Sequence, residues 1–101
     1  MMIYCKLVRD KIPQIIESQG ETVSYRVMED EEFIQQLHTK LNEEVAEFHK
    51  EMNLEELSDI LEVVYAFADT IGSREELQRQ YEQKHQERGG YKERIFLISK
   101  E

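Results

Sequence analysis

The sequence predicts an all-α protein, an antiparallel helical bundle with room for a small two-stranded β pair. Two long segments between residues 30 and 71 repeat apolar residues at helical spacing. Each of the three segments between 30 and 88 begins at a residue able to cap a helix. The break at residues 52 and 53 is so short that the helices on either side must run antiparallel.

The first predicted helix, about 11 to 19, carries Pro13 in its opening turn, where a missing N–H costs nothing, and stops at Gly20. In 22–28, TVSYRVM, Val23, Tyr25 and Val27 alternate with other residues, as in a short strand. A helix from about 30 to 51 follows, with Asp30 as its expected N-cap and Glu31 and Glu32 favourable against the helix dipole. Asn53 caps the next, about 54 to 71, which Gly72 ends. Ser73 with Glu76 forms a capping box for the last, about 74 to 88, closed by Gly89-Gly90. Only Leu77 and Tyr81 make an apolar pair on that helix, so it belongs at an edge. RIFLI, 94–98, is a second strand candidate able to pair with 22–28.

A chain of 101 residues forms one domain, 1–101. With 35 % charged residues against 40 % hydrophobic ones, it fills only a modest core, which favours a homodimer or higher homo-oligomer. No apolar run is long enough to span a membrane, and MMIYCKLVRDK lacks a secretory layout. Cys5 stands alone, which fits a reducing cytoplasm. The net charge of −9 argues against a nucleic-acid polymer as partner. Residues 29–62 hold twelve acids and two bases, whereas 84–100 hold five bases and two acids. Carboxylates that hold a cation, with Lys and Arg from elsewhere meeting an anion, suit that distribution. Solvated helix faces are the plainer explanation of the charge.

The acids are sorted by face. At 100° per residue from Phe33, the apolar arc of the second helix covers about 0 to 120°, and Glu44 falls within it at about 20°. Glu47 sits on its border. On the third helix Glu56 lies inside the apolar arc and Asp59 at its margin, while Glu55, Glu62 and Asp69 point away. Glu44/Glu47 and Glu56/Asp59 each have the three-residue spacing that stacks side chains on one face. An antiparallel hairpin brings all four into one crevice. Unpaired carboxylates there repel one another, and a divalent cation removes the conflict. Mg²⁺ takes hard oxygen ligands, with Mn²⁺ as its substitute; no His or Cys stands among the four to suggest zinc. Ordinary pairs, Glu44 with Lys40 and Glu47 with Lys50, and a capping role for Glu56, are the competing reading.

Glu43-Glu44-Val45-Ala46-Glu47 followed by Glu56-Leu57-Ser58-Asp59 resembles the E-E-x-x-E and E-x-x-D signature of the MazG-like all-α nucleoside triphosphate pyrophosphatases. KLVRDKIPQII (6–16) and ERGGYKERIFLI (87–98) are similar to the two ends of the short, single-domain house-cleaning branch, so the resemblance spans nearly the whole chain. It implies Mg²⁺-dependent hydrolysis of a nucleoside triphosphate to monophosphate and pyrophosphate, by a helical oligomer. Glu44, Glu47, Glu56 and Asp59 become the metal ligands, with Glu43 and Glu44 the catalytic acids and Glu43 the one left to activate water. Only eight residues separate the half-motifs, fewer than in many relatives. A phosphoribosyl-ATP pyrophosphohydrolase is the nearest alternative within the superfamily. A non-catalytic acidic interaction module is the alternative outside it.

A triphosphate needs further positive charge. Arg9 and Lys11 near the start, with Lys6 beside them, and Lys84, Arg88 and Arg94 near the end are the candidates. Lys84 and Arg88 also suit a helix C-terminus electrostatically. Tyr91 is read as a packing residue, and His38, His49 and His85 as surface residues.

Overall fold

The computed structural model describes residues 1–101 as four helices and no strand: α1 Ile12–Ser18, α2 Asp30–Lys50, α3 Leu54–Ile71 and α4 Arg74–Arg88. Local chemistry sets most of the boundaries. Pro13 occupies the first turn of α1, and Gly20, at φ +86°, takes the left-handed conformation that the chain needs just beyond it. Asn53 Oδ1 accepts from the Glu56 N–H at 2.9 Å, and Ser73 Oγ accepts from the Glu76 N–H at 3.1 Å. These two side chains fix the starts of α3 and α4. The start of α2 departs from expectation. Glu29 occupies the N-cap without a side-chain cap bond, and Asp30 already belongs to the helix, its charge serving the dipole together with Glu31 and Glu32.

The antiparallel hairpin of α2 and α3 is the centre of the fold, and α4 packs on α3. Leu37, Val63 and Ala68 are the three buried residues, all at the hairpin seam. The Arg74 guanidinium sits 3.8 Å above the Tyr65 ring, pinning the start of α4 to α3. His38, read from sequence as a surface residue, is exposed, and its ring centroid lies 4.8 Å from that of Phe67 on α3. Tyr91, expected to pack, is exposed.

The expected β pair is absent. Residues 22–28 and 94–98 both lie outside the helices, but no ladder joins them. Alternation identifies a segment that can be a strand, while a strand exists only where a second segment satisfies its backbone. Within one chain that pairing does not occur. No helix is long and apolar enough to cross a membrane.

Candidate metal and phosphate site

The hairpin brings three of the four inward acids together. One carboxylate oxygen from each of Glu44 on α2 and Glu56 and Asp59 on α3 lies within 4.8 Å of the others, and all three residues are partly buried. The Glu44 side chain is 15 % exposed and that of Asp59 35 %. Glu47 is exposed and stands outside this triad, although its charge still reaches Glu56. Partial burial, followed by the charges of Asp59, Glu47, Glu44 and Glu55, pushes the Glu56 carboxyl above the usual glutamate range. Asn53 binds only the Glu56 backbone, so the Glu56 side chain is free to face the triad.

Three carboxylates and no nitrogen or sulfur donor make a hard-oxygen set, which suits Mg²⁺ or Mn²⁺. Oxygens on one Mg²⁺, each about 2.1 Å from it, lie at most about 4.2 Å apart, so small rotamer changes close the triad around an ion. The donor set fits.

Two cations flank the triad. Arg9 donates from Nη2 to Asp59 Oδ1 at 2.7 Å and from Nη1 to Glu62 Oε1 at 3.1 Å. Lys40 Nζ lies 3.5 Å from Glu44 Oε1 and 3.7 Å from Glu43 Oε2. The Lys40–Glu44 pair is therefore real, whereas the Glu47–Lys50 pair is absent. The Arg9 pairs, about half-exposed, contribute about 1 kcal/mol or less, too little to hold Asp59 against a dication. Sequence spacing placed Arg9 among the phosphate candidates, but its partnership with Asp59 and Glu62, fifty residues away, follows only from the fold.

A cleft of about 920 Å³ opens between the segment around Arg9 and the hairpin. Glu44, Asp59 and Glu62 lie on its acidic side, Arg9, Lys11 and Lys40 bring positive charge, and Phe33, Leu37 and Val63 supply apolar wall. It runs along α3 from Asp59 to Thr70, about 16 Å at 1.5 Å per residue. Asp30, read from sequence only as a cap, Asp69, read as pointing away, and Arg74 line it too. Their signal is topological: the start of α2 faces the end of α3 only once the hairpin has formed.

The distal cations are not there. Lys84, Arg88 and Arg94 do not line the cleft of their own chain. Lys84 and Arg88 ride on the exposed last turns of α4, which packs on α3 and not on α2. Arg94 follows on an exposed segment with φ +57°. The course of α4 thus keeps these three candidates away from the cleft of their own chain.

The chain is 48 % identical over 42 residues to an uncharacterized protein of Mycolicibacterium smegmatis, a match that covers 42 % of this chain and 43 % of that protein. No family model matches, and no solved structure matches. The chain thus spans less than half the length of that relative in its match.

Proposed function

We propose that this protein is a Mg²⁺-dependent nucleoside triphosphate pyrophosphohydrolase of the MazG-like kind, acting on non-standard nucleotides. One observation carries the reading: carboxylates from two antiparallel helices converge within 4.8 Å beside a long cleft that has both cationic and apolar walls. Gathering them there is costly: burial first, then repulsion from the neighbouring acids, raises the Glu56 carboxyl. The signature that these acids form in the sequence points to the same chemistry.

Glu44, Glu56 and Asp59 would hold the ion, which neutralises phosphate charge and makes water more acidic. Arg9 and Lys11 lie where an anion entering the cleft meets them. Glu43 shares the Lys40 ammonium with Glu44 and is half-exposed, which leaves it free to accept a proton from the attacking water. Water adds to the α-phosphorus, the α–β anhydride bond breaks, and pyrophosphate leaves. The apolar wall farther along α3 suits a sugar and base. The lone Cys5 and absence of a membrane-length helix agree with a cytoplasmic setting.

A panel of nucleoside triphosphates with phosphoribosyl-ATP, assayed with Mg²⁺ and with phosphate and pyrophosphate distinguished, tests the proposal. Pyrophosphate release from a triphosphate supports it; turnover of phosphoribosyl-ATP alone selects the alternative within the superfamily. Arg9 and Lys40 already pair with Asp59 and Glu44, and this favours the second reading, an acidic helical module without catalysis. In that case Glu44→Gln leaves both partner binding and stability nearly unchanged, and no substrate in the panel turns over.

A further inference from the structure

We propose that residues 94–98 of one copy of this chain add as a strand to residues 22–28 of a second copy, carrying Arg94 toward the second copy's acidic cleft. Neither segment belongs to a helix, and their backbones are almost wholly unpaired. Across the two, the sole backbone bond outside helices is Arg94 N–H to Tyr91 O at 3.1 Å. An extended row of free N–H and C=O groups is a template for pairing with another chain.

The 22–28 segment is already shaped as a receiving edge. Arg26 donates to both oxygens of Glu32 at 2.7 Å, fixing one face of the segment to the first turn of α2. Alternation then turns Tyr25 and Val27 outward, and they are 68 % and 88 % exposed. Ile95, Phe96, Leu97 and Ile98 are between 77 % and 90 % exposed. A continuous apolar run of that kind suits a strand covered on both faces. A helix face could shield these side chains but offers no partner for their backbone; an extended segment offers both.

The whole surface calls for a second copy. The chain exposes 9775 Å². A compact monomer of 12.1 kDa exposes about 6,000 Å². The excess, about 3,800 Å² on each copy, exceeds one copy's half of the about 2,000–5,000 Å² that permanent homodimers bury in total, so an interface of that size fits within it. Charge agrees: residues 84–100 carry +3 and residues 29–62 carry −10, so the tail of one copy is attracted to the hairpin of another. The three distal cations that miss the cleft of their own chain thereby find one to serve.

The strand exchange stands without the catalytic reading; the role of Arg94 rests on it. The test uses the full chain with Cys5→Ser. One protein carries Val27→Cys, a second of different mass carries Leu97→Cys, and they are mixed, refolded together and oxidised. A disulfide between the two masses supports the exchange. A double variant that instead closes within one chain at high dilution overturns it, as does a monomeric full chain at tens of micromolar in equilibrium centrifugation. Phe96→Asp with Ile98→Asp should weaken the dimer at least about a hundredfold while helical content is kept; an unchanged dimer overturns the proposal in favour of a contact through helix faces alone. For the site, Glu44→Gln protein is co-refolded with Arg94→Ala protein. A shared site restores pyrophosphate release in the mixture, because one cleft then combines intact acids with an intact Arg94. A cross-linked dimer without such recovery overturns the role of Arg94. If no preparation releases pyrophosphate, the catalytic reading and the Arg94 role fail together, while the cross-link still decides the exchange.

Discussion

Glu44 is a largely enclosed acid, at 15 % side-chain exposure beside two further carboxylates. Glu44→Gln keeps the shape and removes the charge, so it should leave helical content intact while lowering pyrophosphate release at least about a hundredfold, measured by a coupled pyrophosphate assay. Arg9→Ala should lower kcat/KM about tenfold or more, because it removes one cation from the cleft and releases the Asp59 oxygen that Arg9 holds. Glu56 supplies a pH signature. Its folded value lies above the unfolded one, so its contribution to stability is complete below the ordinary glutamate range and is lost as pH rises through the raised value. Without metal, the wild type should therefore lose stability relative to Glu56→Gln between about pH 4 and pH 7, where carboxylates titrate. Mg²⁺ competes with that proton, so the rise in melting temperature on adding Mg²⁺ should grow with pH; an equal rise at pH 5 and pH 7.5 would contradict the triad as a cation site. Face assignments made the inward acids legible in the sequence, because 100° steps apply to any helix. Glu47 escaped them: a residue on the border of the arc is decided by packing, and here packing left it exposed.

At the scale of the elements, two side-chain caps set the hairpin's working geometry. Asn53 starts α3 three residues before Glu56 and six before Asp59, so the cap fixes which residues of α3 face Glu44. Asn53→Ala should cost about 1 kcal/mol in urea unfolding, and Ser73→Ala a similar amount at α4. Only the first should also weaken Mg²⁺ binding, since α4 contributes nothing to the triad; equal effects on Mg²⁺ would break the link between cap and site. These boundaries were readable because capping acts over three residues and leaves its mark in the sequence. The paired strands were not, because pairing joins positions about seventy residues apart and no local signal states whether the fold brings them together. Arg9 shows the same limit in the other direction. Its value as a cation was legible, but its tie to Asp59 and Glu62 appeared only once the N-terminal segment lay against α3.

The molecule as a whole is long, 62 by 31 by 22 Å, with a radius of gyration of 18.1 Å. A compact domain of this length has about 13 Å. Composition announced only that the core would be modest. It could not reveal that three residues alone would be buried, because that depends on where α4 and the two ends travel after the hairpin closes. Leu37, at 2 % exposure, stands for that small core. Leu37→Ala should destabilise by about 2–5 kcal/mol, a large share of the roughly 5–15 kcal/mol available to a domain. On the proposal that a second copy covers this apolar surface, folding and association are one event, and the unfolding midpoint should then depend on protein concentration. Heating wild-type protein across a hundredfold range of concentration should raise the midpoint steadily with concentration. A midpoint fixed across that range would mean that the extended chain holds its fold alone, against the surface it leaves uncovered. Leu37→Ala should melt earlier at every concentration yet keep the same slope, because it weakens the hairpin of each copy and leaves the contact between copies as it was.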